Sequence, residues 1–255
     1  MKISKDLRLF QALPNLYERV VGDLIRNLPR GGVMIDGGAH VGLHTAAMLE
    51  RVDVSHVYAV EAIPELCDRL EKRFAGRPAV QIERCAIGNA SGRNVSFQVA
   101  VEAPGYSGLK KREVPAVSQW QTIEVKLRTL DELVKDSDFC DIALIKLDLE
   151  GAEFDALKGA RKLLERSRPI VVFENGLRSS ATAYGYNWEE FDEFFSLLGY
   201  IVVDFFGNRV DRDYWDAVLQ TYMFIATPVN SEINAWLDKS LPKYVTDLVE
   251  KADTI

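Results

Sequence analysis

The chain has 255 residues, of which 47% are hydrophobic and 27% are charged, a balance typical of a globular protein with one sizeable core. Its formal net charge of −7 argues against a broad cationic surface for nucleic acid, and no apolar run approaches the roughly 20 residues that span a bilayer. Cys67, Cys85 and Cys140 are scattered and residues 1–6 lack signal-peptide features, so we predict a reduced, cytoplasmic protein.

The first half of the chain alternates predicted helices and strands. Apolar residues at Val20, Val21, Leu24 and Ile25 have the spacing of an amphipathic helix, which we expect to end before Pro29. Strands are predicted at residues 33–36, 56–61, 80–84 and 95–99, with helices at residues 43–50 and from residue 64 onward. Residues 102–119 form the longest irregular stretch, and loops of that length are often functional lids.

The second half repeats this alternation. Thr129 and Glu132 have the spacing of a capping box, which predicts the start of a short helix. One further helix is predicted through Phe154, Leu157 and Leu164, with both leucines facing the core. The remaining predicted elements are strands at 142–148, 169–174, 200–205 and 222–226, and helices at 188–198 and 232–251.

This alternation predicts a doubly wound, mostly parallel α/β sheet with helices on both faces. We expect residues 1–32 to form an N-terminal helical segment, residues 33–228 the sheet domain, and residues 229–255 a helical tail packed on or beside it. In such sheets a ligand binds at the carboxyl ends of the strands. Glu61, Asp148 and Glu174 each end a predicted strand, so we expect all three near that crevice.

The strongest local motif is the run Asp36-Gly37-Gly38-Ala39-His40-Val41-Gly42, between a predicted strand and a predicted helix. Glycines let such a turn close tightly and let a ligand approach the backbone. Gly38 and Gly42 are four positions apart, so the run is not the dinucleotide motif GxGxxG. The preceding Asp36 repels a pyrophosphate but suits the ammonium and sulfonium charges of S-adenosylmethionine; the alternative is a plain strand-to-helix turn.

A second signal lies on the next two strands. Glu61 comes about 25 residues after Asp36, where a carboxylate accepts hydrogen bonds from both ribose hydroxyls of a nucleoside. Cys85 and Ala86 follow the third strand, where the adenine edge would lie. The alternative for Glu61 is a solvated acid at a strand end.

Asp148, Glu150 and Glu153 form an acidic cluster at a strand end and the first turn of the following helix. They are the leading candidates for a general base beside the substrate, although acids at a helix start also complement its dipole. A divalent cation held by these three residues is a less favoured alternative. Lys146 is expected to pair with an acid, and His40 either acts as a base or bonds to backbone.

The sequence resembles the FkbM-type methyltransferases. The most specific match is carried by residues 129–133, which contain Asp131, and by residues 145–153, which contain Asp148. The match extends over residues 36–42, 58–61, 86–92, 157–160 and 168–171. Ala62 is a departure, because the family usually has proline directly after the acid. The resemblance implies a class I, Rossmann-like methyltransferase fold with a seven-stranded sheet. It also implies methyl transfer from S-adenosylmethionine to a hydroxyl of a sugar, polyketide or other small metabolite.

The turn chemistry and the resemblance together predict two sets of site residues. The predicted cofactor-binding residues are Asp36, Gly37, Gly38, Ala39, Gly42, Glu61, Ala62, Cys85, Ala86 and Asp148. The predicted catalytic residues are Asp148, Glu150, Glu153, His40 and Lys146. The predicted partner is a hydroxylated small molecule, without nucleic acid or membrane.

Two other classes remain open from the sequence. A nicotinamide-dependent oxidoreductase shares the strand, glycine turn and later acid, but the chain lacks GxGxxG and a Tyr-x-x-x-Lys pair. A non-catalytic nucleoside-binding module is the other alternative, and the acids at positions 36, 61, 148, 150 and 153 count against it.

Overall fold

A computed structural model describes residues 14–113, 115, 117–134, 141–217 and 221–252 of the chain. The strands are β1 (Gly32–Gly37), β2 (Val54–Glu61), β3 (Val80–Arg84), β4 (Ala86–Ile87), β5 (Arg93–Ala100), β6 (Trp120–Arg128), β7 (Ile142–Leu147), β8 (Ile170–Glu174), β9 (Tyr200–Asp204) and β10 (Met223–Pro228). The helices are α1 (Pro14–Arg26), α2 (Leu43–Leu49), α3 (Pro64–Arg73), α4 (Leu130–Leu133), α5 (Glu153–Lys158), α6 (Arg161–Ser167), α7 (Arg178–Tyr184), α8 (Trp188–Leu197), α9 (Arg212–Asp216) and α10 (Asn234–Ala252).

The main sheet has seven strands in the order β3-β2-β1-β7-β8-β10-β9. Six of them run in the same direction, whereas β10 is antiparallel to both of its neighbours, β8 and β9. The fold class predicted from the sequence is therefore confirmed. Because β1, β2 and β7 are parallel neighbours, the glycine turn, Glu61 and Asp148 meet at one edge of the sheet.

The two faces of the sheet bury alternate residues of the same strands. Met34 and Leu144 pack in one cluster with apolar residues of α1, α2 and α10, whereas Ile35 and Ile145 pack in another with α5, α6 and α8. This is the alternation of a pleated strand covered on both sides. Both α1 and α10 belong to the core, while the division at residues 32 and 228 stays a prediction.

A smaller sheet, in the order β4-β6-β5, extends the fold beside the site. The sequence analysis identified only its β5 strand. β6 begins directly after the irregular stretch and pairs antiparallel with β5, from Arg93 opposite Leu127 to Ala100 opposite Trp120. The stretch between them is therefore the long loop of a hairpin.

The single helix predicted through Phe154 and Leu164 is wrong, because α5 and α6 are separate helices broken at Gly159. A Cβ at Gly159 would lie 2.2 Å from the carbonyl oxygen of Gly88, so the chain passes there at backbone distance. Asp131 also accepts hydrogen bonds from two backbone N–H groups at the start of α6. Tertiary contacts therefore override the helical periodicity, although Leu157 and Leu164 are buried as predicted.

Other predicted elements agree to within a few residues, including the capping box, in which Thr129 accepts from the Glu132 N–H. The short helices α7 and α9 were not predicted. Among the helices that the structure describes, none is both long and apolar enough to cross a membrane. Cys140 and the start of the N-terminal segment lie outside the described residues.

Candidate active site

A cavity of about 520 Å³ lies at the carboxyl ends of β1, β2 and β7. One part of its wall is apolar and includes Ile63, Ala86 and Phe97, which also pack against one another. Another part carries the side chains of Glu18, His44, Lys146 and Asp148. The cavity thus offers an apolar surface and a charged surface to one ligand.

The glycine turn forms the floor of this cavity. Gly38, Ala39 and His40 line it, and the N–H groups of Gly38 and Ala39 donate to the Val60 carbonyl at 2.9 and 3.0 Å. Gly38 has a φ of 72°, and a Cβ there would lie 2.0 Å from the carbonyl oxygen of Asp148. Only glycine therefore fits this position.

Three of the predicted cofactor residues shape the turn without lining the cavity: Gly37, Gly42 and Asp36. A Cβ at Gly42 would lie 2.7 Å from the Phe74 ring, and one at Gly37 would lie 2.7 Å from the Leu147 side chain. The other predicted cofactor residues do line it: Gly38, Ala39, Glu61, Ala62, Cys85, Ala86 and Asp148.

Glu61 is held by backbone donors of its own turn and of the glycine turn. Its Oε1 accepts from the N–H groups of Ala62 and Ile63 at 2.8 and 2.9 Å, and its Oε2 accepts from His40 N at 2.9 Å. Burial raises the pKa of Glu61, while these three hydrogen bonds oppose the rise. A carboxylate has about four acceptor positions. One position remains here, on Oε2, and the prediction that Glu61 accepts from both ribose hydroxyls stays a prediction.

Asp36 and Lys146 form a buried ion pair behind the turn. Lys146 Nζ lies 3.3 Å from Asp36 Oδ1 and 3.8 Å from Asp148 Oδ2, and it donates to the Gly38 carbonyl at 3.2 Å. Asp36 Oδ2 accepts from the Thr45 hydroxyl at 2.6 Å. Burial favours the neutral forms of both groups, but the pKa of Asp36 is lowered by the charge of Lys146 and that of Lys146 is raised by Asp36. The pair is therefore ionised at neutral pH.

The predicted acidic cluster does not converge on one point. Asp148 lines the cavity, whereas Glu150 and Glu153 do not. Glu150 forms an ion pair with Arg112 from the hairpin loop. Among the described residues, no group of three histidine, cysteine or acidic side chains is arranged to hold a metal ion.

Glu153 binds the loop that follows β7. Its Oε1 accepts from the N–H groups of Leu149 and Gly151 at 2.7 and 3.1 Å, and the side chain is fully buried. Within the described part of the chain its Oε2 has no hydrogen-bond partner, and burial raises the pKa of Glu153 to about 7. The structure therefore gives Glu153 a role in loop geometry and no contact with the cavity.

The sequence analysis did not identify the contributions of α1 and α2. Glu18 lines the cavity from α1, and its Oε2 lies 2.9 Å from His44 Nε2. No local pattern distinguishes Glu18 from other polar residues of an amphipathic helix. The hairpin loop also lines the cavity, through residues 103–107 and Leu109.

This sheet order, with a cavity beside the first glycine turn, defines a class I methyltransferase fold. The chain belongs to the FkbM methyltransferase family, because the family model described as "Methyltransferase FkbM domain" matches residues 36–202. The protein is therefore a member of a methyltransferase family rather than a nicotinamide-dependent oxidoreductase.

Two curated relatives are methyltransferases. Methyltransferase sdnD of Sordaria araneosa is 26% identical over 180 residues, which cover 58% of this chain and 68% of the relative. Hexuronic acid methyltransferase AglP of Haloferax volcanii is 27% identical over 154 residues, which cover 60% of each protein. The chain therefore spans only part of the length of these relatives.

Among solved structures, a methyltransferase FkbM from Methylobacillus flagellatus aligns over 88% of this chain and 59% of its own. It is 15% identical to this chain, with a TM-score of 0.46, and is a distant likeness.

Proposed function

We propose that this protein transfers the methyl group of S-adenosylmethionine to a hydroxyl of a small molecule, and that the acceptor is a sugar, a glycan or a secondary metabolite. The observation that carries the proposal is the cavity, in which Glu61, an apolar wall and Asp148 surround one space. The similarity to a hexuronic acid methyltransferase supports a sugar acceptor.

The residues present fit this cofactor. Glu61 keeps one acceptor position for a ribose hydroxyl, and Ile63, Ala86 and Phe97 offer apolar surface to an adenine ring. The absence of a side chain at Gly38 leaves the backbone open to the ligand. When bound, S-adenosylmethionine supplies a methyl group on a positively charged sulfur.

We assign Asp148 as the general base that takes the proton from the hydroxyl of the acceptor. In an in-line displacement the acceptor oxygen bonds to the methyl carbon, the carbon–sulfur bond breaks, and the hydroxyl proton goes to a base. Asp148 lines the cavity with a side chain that is 26% exposed, and the Lys146 ammonium lies 3.8 Å from its Oδ2. His40 is the second candidate, since it lines the same cavity.

We propose that the reaction needs no divalent cation. Glu150 is paired with Arg112, and Glu153 is bound to backbone N–H groups, so two of the three predicted ligands are already engaged and only Asp148 faces the cavity. The buried free thiols of Cys67 and Cys85 fit the cytoplasm. The net charge of −7 supports a small molecule rather than nucleic acid as substrate.

The first experiment is calorimetric titration of the protein with S-adenosylhomocysteine, with NAD as a parallel control. We expect micromolar binding of S-adenosylhomocysteine alone. A panel of sugars, uronic acids and polyketide alcohols is then tested for gain of one methyl group by mass spectrometry, with EDTA and with magnesium. Binding of NAD alone would overturn the proposal, and loss of turnover in EDTA would overturn the metal-free mechanism.

A further inference from the structure

Helix α1 brings a carboxylate to the charged part of the cavity wall. The buried face of α1, with Val20 and Leu24, packs in the core beneath the sheet. Tyr17 adds an edge contact to the His44 ring at 5.9 Å and stacks on Phe205 at 6.5 Å. Glu18 is therefore held over the start of α2 by packing on both sides of its position.

The carboxylate of Glu18 is available to a ligand. Its side chain is 42% exposed and lines the cavity, and its Oε2 lies beside His44. Burial raises its pKa, but the hydrogen bond and charge of His44 and the charge of Lys146 outweigh burial and lower it overall. Glu18 is therefore ionised at neutral pH.

Asp36, which the sequence analysis predicted to face the cofactor's ammonium, is already engaged, and so is the carbonyl of the turn that follows it. Both oxygens of Asp36 have partners, Thr45 and Lys146, and Asp36 is fully buried outside the cavity wall. The Gly38 carbonyl accepts from the Lys146 ammonium. A second ammonium group at that point would meet the ammonium of Lys146 at short range, which like charges disfavour.

The charge balance around this part of the cavity favours a further cation. The ammonium of Lys146 lies 3.3 Å from Asp36 and 3.8 Å from Asp148, and it also interacts with the charge of Glu18. His44, 2.9 Å from Glu18, adds a second positive charge when it is protonated, so the three carboxylates outnumber the cations. Lys146 compensates Asp36, and Oε2 of Glu18 pairs with His44, so the carboxylate of Asp148 and the second oxygen of Glu18 remain for a ligand. Asp148 is the proposed base, so Glu18 is the group left for the ammonium.

We infer that Glu18 binds the α-ammonium group of the methionyl portion of the cofactor, so that the cofactor site is completed by a residue outside the family-matched region 36–202. The inference rests on the proposed use of S-adenosylmethionine. It makes α1 part of the binding site as well as part of the core.

The test compares two ligands that differ in the methionyl portion. S-adenosylhomocysteine carries the ammonium and carboxylate groups, whereas 5′-methylthioadenosine keeps the nucleoside and sulfur but lacks both. Calorimetric affinities are measured for the wild type, for Glu18→Gln, and for the matched control Glu65→Gln on an exposed turn of α3. Circular dichroism and thermal melting check that each variant is folded.

Glu18→Gln is expected to lower the affinity for S-adenosylhomocysteine by roughly tenfold or more, because a hydrogen bond to a charged group contributes about that much to binding. The affinity for 5′-methylthioadenosine should stay within about twofold of the wild type. Glu65→Gln should change neither. Unchanged binding of S-adenosylhomocysteine to Glu18→Gln overturns the inference, and so does an equal loss of both ligands. A wild type that binds neither ligand overturns the proposed function itself.

Discussion

The ammonium nitrogen of Lys146 lies 3.3 Å from Oδ1 of Asp36, and the two side chains are 3% and 0% exposed. The pair joins β1 to its neighbour β7, since the two residues are opposite each other in the sheet. Removing one member of a buried pair leaves the other charge without compensation. Asp36→Asn is therefore expected to lower the free energy of unfolding by about 3–5 kcal/mol, measured by urea denaturation.

The double variant Asp36→Asn with Lys146→Met removes both charges. Its loss of stability should be smaller than the sum of the two single losses, because neither charge is left alone. Additive losses would show that the two groups do not interact. Because Asp36 has no surface in the cavity, a loss of ligand affinity in Asp36→Asn would follow from this loss of stability and not from a lost contact with the ligand.

Two glycines with similar backbone angles separate conformational strain from steric contact. Gly38 and Gly76 have φ values of 72° and 77°, but a Cβ at Gly38 would lie 2.0 Å from a backbone oxygen, whereas one at Gly76 would meet no atom within 4 Å. Gly76→Ala should cost about 1–2 kcal/mol, the strain of the left-handed conformation. Gly38→Ala should cost more and abolish S-adenosylhomocysteine binding, measured by thermal melting and calorimetry. Equal effects of the two changes would contradict this account.

Glu61→Gln tests the nucleoside end of the cavity. An amide cannot accept at both of its polar atoms, so the variant loses part of the bonding to His40, Ala62 and Ile63 as well as the ligand contact. The affinities for S-adenosylhomocysteine and for 5′-methylthioadenosine should both fall by about tenfold or more, because both ligands contain the ribose. Glu124→Gln, at an exposed position of β6, is the control. Wild-type affinity in Glu61→Gln would contradict the assignment of Glu61 to the ribose.

The pKa of Glu153, about 7 in the folded protein against an ordinary value of 4.5, predicts a dependence of stability on pH. The folded state holds the proton that the unfolded chain releases between about pH 4.5 and 7, so the free energy of unfolding falls as pH rises through that window and levels off above it. Glu153→Gln should remove this part of the fall, a difference on the order of a few kcal/mol.

The measurement is urea denaturation of the wild type and Glu153→Gln from pH 4.5 to 8. Parallel curves for the two proteins would be incompatible with a proton on Glu153. Turnover should fall less than in Asp148→Asn, because Glu153 acts through the loop at Leu149 and Gly151.

Tyr106 tests the hairpin loop as a cover for the cavity. Its ring is 42% exposed and lines the cavity, and the Ser107 hydroxyl fixes the loop by accepting from the Ala100 N–H at 3.0 Å. Removal of the ring should lower the affinity for S-adenosylhomocysteine several-fold, because one aromatic contact is lost. Tyr222→Ala, at a similarly exposed ring that does not line the cavity, should leave affinity unchanged. If Tyr106→Ala binds like Tyr222→Ala, the loop does not cover the bound ligand.

Much of the main sheet was predictable because its strands are short apolar runs bounded by glycine, proline and acids. Glu61 and Asp148 were found for the same reason, since each acid directly follows or ends such a run. β6 was missed because its partner strand lies beyond a long loop, and its exposed face carries few apolar residues. Helix α6 was merged with α5 because the break at Gly159 depends on close backbone contact with Gly88, which no local pattern records.

The sequence by itself determined the strands of the main sheet along the chain, the glycine turn and the acids at the strand ends, because these depend on neighbours within a few residues. Only the tertiary structure decided which carboxylates remain free. Asp36 forms an ion pair with Lys146, Glu150 forms one with Arg112, and Glu153 accepts hydrogen bonds from the loop after β7. Glu18 reaches the cavity from a separate helix. Such pairings join residues far apart in the chain, and only the packed fold brings their charges within bonding distance.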